Sequence, residues 1–385
     1  MCYGALGLFL IPPIIIYLIS GNLDFNTWIY RALTFLVISC PCALVISIPL
    51  SFFGGIGGAS KKGILIKGSN YLEALAKSKY VAFDKTGTMT KGIFEVSAYH
   101  ECKITEQELL EVAAYAESLS NHPIGQSIVR EYGKKIDKSK IESIEEYAGK
   151  GIKARIFSKD VLAGNKTFFD ENHIVVEECK DSGAIVYVAI DGKYVGHLHV
   201  ADIIKPTSKK CISLLKEMGI KKTFMLSGDN NTTAKEIGNT LGIDDTIGGL
   251  LPETKLNIAQ QLIESKDSEK ESFIFVGDGI NDAAVISRAD VGVSMGALGS
   301  DAAIEAADVV LMDDDPLKVV TAIRIAKKCM RIVYENIYFA IGVKVVCLIL
   351  GALGFTTMWL AIFADVGVMI IAVLNALRVL NVRKL

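Results

Sequence analysis

Apolar and polar positions divide the chain into three regions. Long apolar stretches occupy roughly Cys2–Ser20, Trp28–Phe53, Ile332–Leu353 and Thr356–Leu380. Each has the ~20 residues a helix needs to cross a bilayer. Between the second and third, short β-rich runs alternate with helical periodicity. Runs at Tyr80–Phe83, Thr223–Leu226, Phe273–Val276, Ala289–Val293 and Asp308–Met312 read as strands; Lys205–Met218, Asn231–Leu241 and Lys255–Glu264 read as helices. Such alternation predicts a parallel, doubly wound sheet whose ligands lie beyond the carboxyl ends of its strands. Residues 95–203 interrupt it with helical and then hairpin-like patterning, at Ile185–Ile190, Asp191-Gly192 and Tyr194–Val200, which predicts an inserted second domain. The expected organisation is therefore 1–60, two membrane helices; 61–94 with 204–331, the sheet domain; 95–203, the insert; and 332–385, two more membrane helices with a short tail.

Charge sharpens this picture. The 385 residues are 51% hydrophobic with a net charge of −2. Residues 1–60 carry only Asp24 and Arg31, and residues 332–385 only Glu335, Lys344, Asp365, Arg378, Arg383 and Lys384. All other charges fall between, so apolar ends bracket a water-soluble middle. Lys61, Lys62, Lys67, Lys327, Lys328, Arg331, Arg383 and Lys384 flank the apolar stretches, while the turns within each pair have no Lys or Arg. The positive-inside rule then expects the middle region and the C-terminus on the cytoplasmic side of a membrane, the plasma membrane, with the N-terminus there too. The balance of charge offers no case for nucleic acid. Eight scattered cysteines suggest no disulfide framework, and residues 1–20 lack the basic start and cleavage site of a signal peptide.

Three acidic motifs sit at strand ends. Asp84-Lys85-Thr86-Gly87-Thr88-Met89-Thr90 follows the first sheet strand. A carboxylate there, before a glycine-permitted turn, is held rigidly among backbone N–H groups that suit phosphate oxygens, and aspartate can attack phosphorus. Gly277-Asp278-Gly279-Ile280-Asn281-Asp282 supplies carboxylates for a hard cation such as Mg²⁺. Lys255, in Leu251-Pro252-Glu253-Thr254-Lys255, offers charge to neutralise a phosphoryl group. In the membrane part, Pro41 of Cys40-Pro41-Cys42 disrupts the helix, so that a local unwinding can turn both sulfurs to one side. Thiolates favour soft or borderline metals. Lys344 and Asp365, inside the last two spans at nearly the depth of Cys40, are costly there and expected to pair.

These motifs strongly resemble the P-type ATPases of the haloacid-dehalogenase superfamily, over the whole chain. The resemblance implies membrane helices plus a cytoplasmic α/β, Rossmannoid phosphorylation domain with an inserted α+β nucleotide-binding domain. It implies that Asp84 becomes an aspartyl phosphate, with Mg²⁺ held by Asp84, the carbonyl of Thr86 and Asp278. Lys85, Lys255, Asn281 and Asp282 would complete the catalytic set, and Ser227, in Ser227-Gly228-Asp229 where the family commonly has Thr-Gly-Asp, would bind phosphate. Glu117, Ser120-Asn121-His122-Pro123, Gly149, Gly151, Gly164 and Asn165, in this order, are similar to the ATP pocket of the heavy-metal branch, with Asp229 also assigned to the nucleotide. Cys40, Cys42 and Asp365, with Lys344 as counter-ion, resemble the zinc/cadmium/lead-exporting group; the Tyr-Asn and Met…Ser patterns of copper exporters are absent. The actuator's Thr-Gly-Glu loop has no match, so a separate chain or a missing segment is expected to supply the actuator and earlier spans. Two alternatives stay open: a membrane-tethered Asp-dependent phosphatase, and a non-enzymatic metal-binding subunit.

Overall fold

The computed structural model describes residues 2–20, 25–176, 183–278, 282–296, 301–352, 355 and 357–382. In the middle region the described strands form two sheets. One has seven strands, β1 (Ile64–Ile66), β2 (Ser78–Asp84), β9 (Lys222–Leu226), β10 (Asp245–Ile247), β11 (Ser272–Gly277), β12 (Val291–Met295) and β13 (Val309–Leu311), in the order β1-β13-β12-β11-β2-β9-β10. Only edge strand β1 runs antiparallel to its neighbour. Val81, Ala82 and Phe83 of β2 and Phe273 to Val276 of β11 are fully buried, the pattern of strands covered on both faces. The register decides where chemistry can occur. Phe83 pairs with Val276 and Asp84 with Leu226, so Asp84, Ser227 and Asp278 emerge side by side at the carboxyl edge.

The second sheet is antiparallel, with β3 (Thr90–His100), β4 (Ile141–Tyr147), β5 (Gly151–Ile156), β6 (Lys159–Gly164), β7 (Ala184–Ile190) and β8 (Lys193–Ile204) in the order β3-β8-β7-β6-β5-β4. Its core packs against the helices Glu106–Ala116 and Pro123–Tyr132. The first of these has a full capping box between Thr105 and Glu108. The second ends at Gly133 in the left-handed conformation. β3 and β8 pair from Thr90 and Ile204 onward, so the chain enters and leaves this sheet on two adjacent strands.

Among the described residues, three helical stretches are long and apolar enough to span a membrane: Phe25–Ser60, Leu317–Gly351 and Met358–Leu380. Cys2–Ser20 is a helix, α1. The second stretch is two helices, α2 (Phe25–Ile38) and α3 (Cys42–Ser60). The third belongs to α4 (Leu317–Ala352), one unbroken helix of 36 residues. Its first half, through Val319, Val320 and Ile323, shares a core with the seven-stranded sheet, and that core also takes in Ala59 of α3 and Val379. The last stretch contains α5 (Met358–Ile362), a wide turn at Phe363–Gly367 and α6 (Val368–Leu377). Along all of these, large apolar side chains face outward, Trp359 being 82% exposed. The protein is a membrane protein.

Candidate active site and metal centre

At the carboxyl edge of the seven-stranded sheet, carboxylate oxygens of Asp84, Asp278 and Asp282 lie within 4.8 Å of one another. Lys255 reaches them from the first turn of the helix Pro252–Glu264, which begins with proline at a position that needs no N–H. Its ammonium donates to Asp84 Oδ1 and, at 2.6 Å, to Asp282 Oδ1. Burial pushes the Asp84 carboxyl up to about 7; Lys255 opposes this, while Asp282 and Asp278 add to it. Burial likewise raises Asp278 to about 6, with the Asp282 charge adding to it. Burial pulls Lys255 down, but the Asp84 and Asp282 charges outweigh it and hold it above the usual lysine range. Three acids sharing one lysine leave the cluster short of positive charge. All its donors are hard oxygens, which fits Mg²⁺.

The loop after Asp84 is shaped by Gly87, at φ +73°. A Cβ there would stand 1.6 Å from Asp278 Oδ2. No side chain fits between the loop and that carboxylate. Lys205, buried, donates to Gly87 O at 2.5 Å and to Asp314 O at 2.9 Å, tying the loop down from behind. Its pKa is lowered by burial, against the pull of nearby acids.

Not every residue assigned to the reacting group lies there. Lys85 turns away: its ammonium pairs with Asp229 at 2.5 Å and approaches Asp202 at 3.6 Å. Ser227 is buried at the end of β9, its hydroxyl accepting from the Asp229 N–H at 3.1 Å. Thr86 is exposed in the loop. Asn281 lies outside the described residues. Asp202 and Lys205 escaped the sequence reading; the only signal was a charged pair closing the apolar strand β8 before Pro206.

A cavity of about 310 Å³ opens on the six-stranded sheet, lined by Glu117, His122, Gly149, Gly151, Gly164 and Asn165 together with Glu146, Tyr147 and Lys150. Asp229 does not line it, and neither do Asn121 and Pro123. Gly151 and Gly164 face each other across β5 and β6, where a Cβ on either would come within 3 Å of the other strand's backbone. Asn165 caps the helix Lys166–Glu171 by accepting from the Phe168 N–H, and its amide donates to Gly149 O at 2.9 Å. His122 caps Pro123–Tyr132 through Nδ1. Both fix the rim of the cavity. Glu117 is buried, and desolvation raises its carboxyl to about 7 despite a bond to Ser120. A carboxyl with a raised folded pKa favours the protonated native state. Stability of this unit should therefore fall as pH rises from about 4.5 through 7. Hydrogen exchange at Ile152 and Ala163, corrected for intrinsic rates, should show less protection at pH 8 than at pH 5, and Glu117→Gln should remove the difference.

In the membrane part, Pro41 has no N–H and the helix breaks. Cys40 N–H bonds back only to Val37 O, and helical bonding restarts with Leu44 and Val45 on Pro41 O. The carbonyl of Ile38 is thereby released, and Lys344 of α4 donates to it at 3.3 Å and to Asp365 Oδ1 at 3.4 Å. Asp365 sits in the wide turn between α5 and α6. Sulfurs of Cys40 and Cys42 and a carboxylate oxygen of Asp365 lie within 4.8 Å of one another. Cys40 and Cys42 face each other across Pro41 with their sulfurs in contact, their Cα atoms 5.5 Å apart. The unwound turn brings the two sulfurs to one side.

The family model for haloacid dehalogenase-like hydrolases matches residues 79–290. A cadmium, zinc and cobalt-transporting ATPase of Bacillus subtilis (strain 168) is 52% identical over 97% of this chain and 53% of its own length. A zinc-transporting ATPase of Synechocystis sp. is 49% identical over 97% of this chain and 51% of its own. The crystal structure of a zinc-transporting PIB-type ATPase in an E2·Pi state superposes with a TM-score of 0.85 at 34% identity, covering 99% of this chain and 62% of that one. The chain belongs to the haloacid dehalogenase-like hydrolases, and over nearly its whole length it is similar to a PIB-type ATPase. It spans about half the length of the curated relatives it matches.

Proposed function

We propose that this chain supplies the phosphorylation, nucleotide-binding and ion-binding parts of an ATP-driven exporter of divalent soft metals: zinc, cadmium or lead. The carrying observation is that one chain holds both an acid cluster around Lys255 and a sulfur–carboxylate cluster around Lys344, with α4 reaching from the first unit to the second. Membrane lipid surrounds the spans, the middle region faces the cytoplasm of a plasma-membrane protein, and the remaining length of the relatives, on this or a separate chain, completes the pump.

In this reading ATP occupies the cavity lined by Glu117 and Gly164, with its phosphates directed to Asp84. Lys255 holds Asp84 Oδ1, leaving Oδ2 to attack the terminal phosphorus; the P–O bond to ADP breaks and ADP leaves with its electron pair. Asp84, the Thr86 carbonyl and Asp278 would hold Mg²⁺, which when bound neutralises phosphoryl charge. Asp282 positions Lys255. Lys85, paired with Asp229, is a strut between the loop and β9. Reduced Cys40 and Cys42 with Asp365 bind the transported ion, and Lys344 takes Asp365 when the ion leaves.

The deciding experiment is acid-stable phosphorylation from labelled ATP, in reductant, with and without Zn²⁺. Zn²⁺ should raise the label several-fold. Cys40→Ala with Cys42→Ala should abolish that dependence and the bound Zn²⁺, leaving the protein folded. Label independent of metal would favour the phosphatase, and no label at all the binding subunit. Because thiolates must form, Zn²⁺ affinity should fall with pH; isothermal titration at pH 6 and pH 8 checks this.

A further inference from the structure

The cytoplasmic ends of α3 and of the last span enclose a cleft of about 640 Å³, lined by Lys61, Lys62, Leu377, Leu380, Asn381 and Val382. Close helix contact builds its floor: a Cβ on Gly58 would lie 2.9 Å from Val382 Cγ1, and one on Gly57 3.9 Å from Leu380. Its position is fixed by two lysines outside it. Lys318 donates to Lys62 O at 2.6 Å, and Lys328 to Asn381 O at 2.6 Å.

Among the described residues no carboxylate lines this cleft. Among the described residues the ammonium groups of Lys61 and Lys62 form no ion pair, in contrast to Arg378 nearby, which pairs with Glu335 at 3.4 Å. Away from the lysines the surface becomes apolar: Leu377 is 45% exposed, Leu374 60% and Phe53, on α3, 71%. A cationic rim at the end of two spans, opening onto an apolar track along them, matches a molecule with an anionic phosphate head and acyl chains.

We infer that Lys61 and Lys62 form a headgroup site for an anionic phospholipid of the cytoplasmic leaflet. The lysines hold the phosphate, and the acyl chains lie along Leu377, Leu374 and Phe53. Basic clefts between spans on this side of a membrane are suited to such headgroups. The site is separate from both the acid cluster and the sulfur cluster, so it can fail without affecting the transport reading.

The chain, purified in neutral detergent, is mixed with phosphatidylglycerol or with phosphatidylcholine of identical acyl chains, and bound lipid is counted by native mass spectrometry. Phosphatidylglycerol should remain bound, one per chain, where phosphatidylcholine dissociates. Lys61→Gln with Lys62→Gln should weaken its apparent affinity about thirty-fold. Lys61→Arg with Lys62→Arg should keep it, and so should Lys134→Gln with Lys135→Gln on the exposed surface of the six-stranded unit. Inorganic phosphate at about 10 mM should not displace the lipid. Displacement would make this a free-anion site and overturn the assignment. Equal retention of both lipids, or undiminished retention by the glutamine variant, would overturn it as well.

Discussion

Asp84→Asn should abolish acid-stable labelling from ATP while leaving nucleotide binding intact. The substitution preserves size and keeps an oxygen for the Lys255 ammonium, so the buried carboxyl edge of the sheet loses no volume. What it removes is the second carboxylate oxygen, the only nucleophile at the end of β2. The wild-type bond should be an acyl phosphate, stable in acid and cleaved by hydroxylamine. The glutamate cavity on the other sheet does not touch Asp84, so the affinity for an ATP analogue should change by less than about two-fold, well under 1 kcal/mol. Label at wild-type level in this variant would place the nucleophile elsewhere.

Gly87→Ala should be nearly as severe. The new methyl would meet Asp278 Oδ2 at 1.6 Å, on a backbone whose φ of +73° L side chains rarely adopt. Neither partner can yield cheaply: the loop is held by Lys205 through the Gly87 carbonyl, and Asp278 follows directly on buried β11. The three-acid cluster must therefore open. Mg²⁺-dependent labelling should fall by at least about 100-fold, and Mg²⁺ affinity with it, since oxygen ligands must stay within coordination distance. Far-UV circular dichroism should stay near wild type, because the strain is confined to one loop. Normal labelling by Gly87→Ala would show that the loop has more room than this structure gives it.

The legible parts of the sequence were those governed by local pattern. β2, β9 and β11 could be read from apolar runs ending in Asp84, Ser227 and Asp278, and the helix Asn231–Leu241 from its period. The break at Pro41 follows from the missing N–H alone. Less legible was everything set by contact between distant segments. The two roles of Lys85 and Lys255 could not be told apart from their motifs, since each is a lysine close to a strand end; only the fold shows that Lys255 faces Asp84 while Lys85 faces Asp229 and Asp202. Asp202 and Lys205 matter because β8 returns beside β3, a pairing between residues more than a hundred positions apart. The third apolar stretch was read as starting at Ile332 because charges at Lys327, Lys328 and Arg331 mask a helix that begins at Leu317.

That helix has a mechanical consequence. A rod of 36 residues without proline does not bend at a joint. From Ile323, anchored in the sheet's core, to Lys344 is about 31 Å at ~1.5 Å per residue. Pivoting at Ile323, a tilt of about 5° would sweep the Lys344 ammonium sideways by about 3 Å. Its contacts with Ile38 O and Asp365 are 3.3 and 3.4 Å, so a swing of that size is enough to break both. Levered from among the strands, a tilt of a few degrees would lift the lysine off both partners.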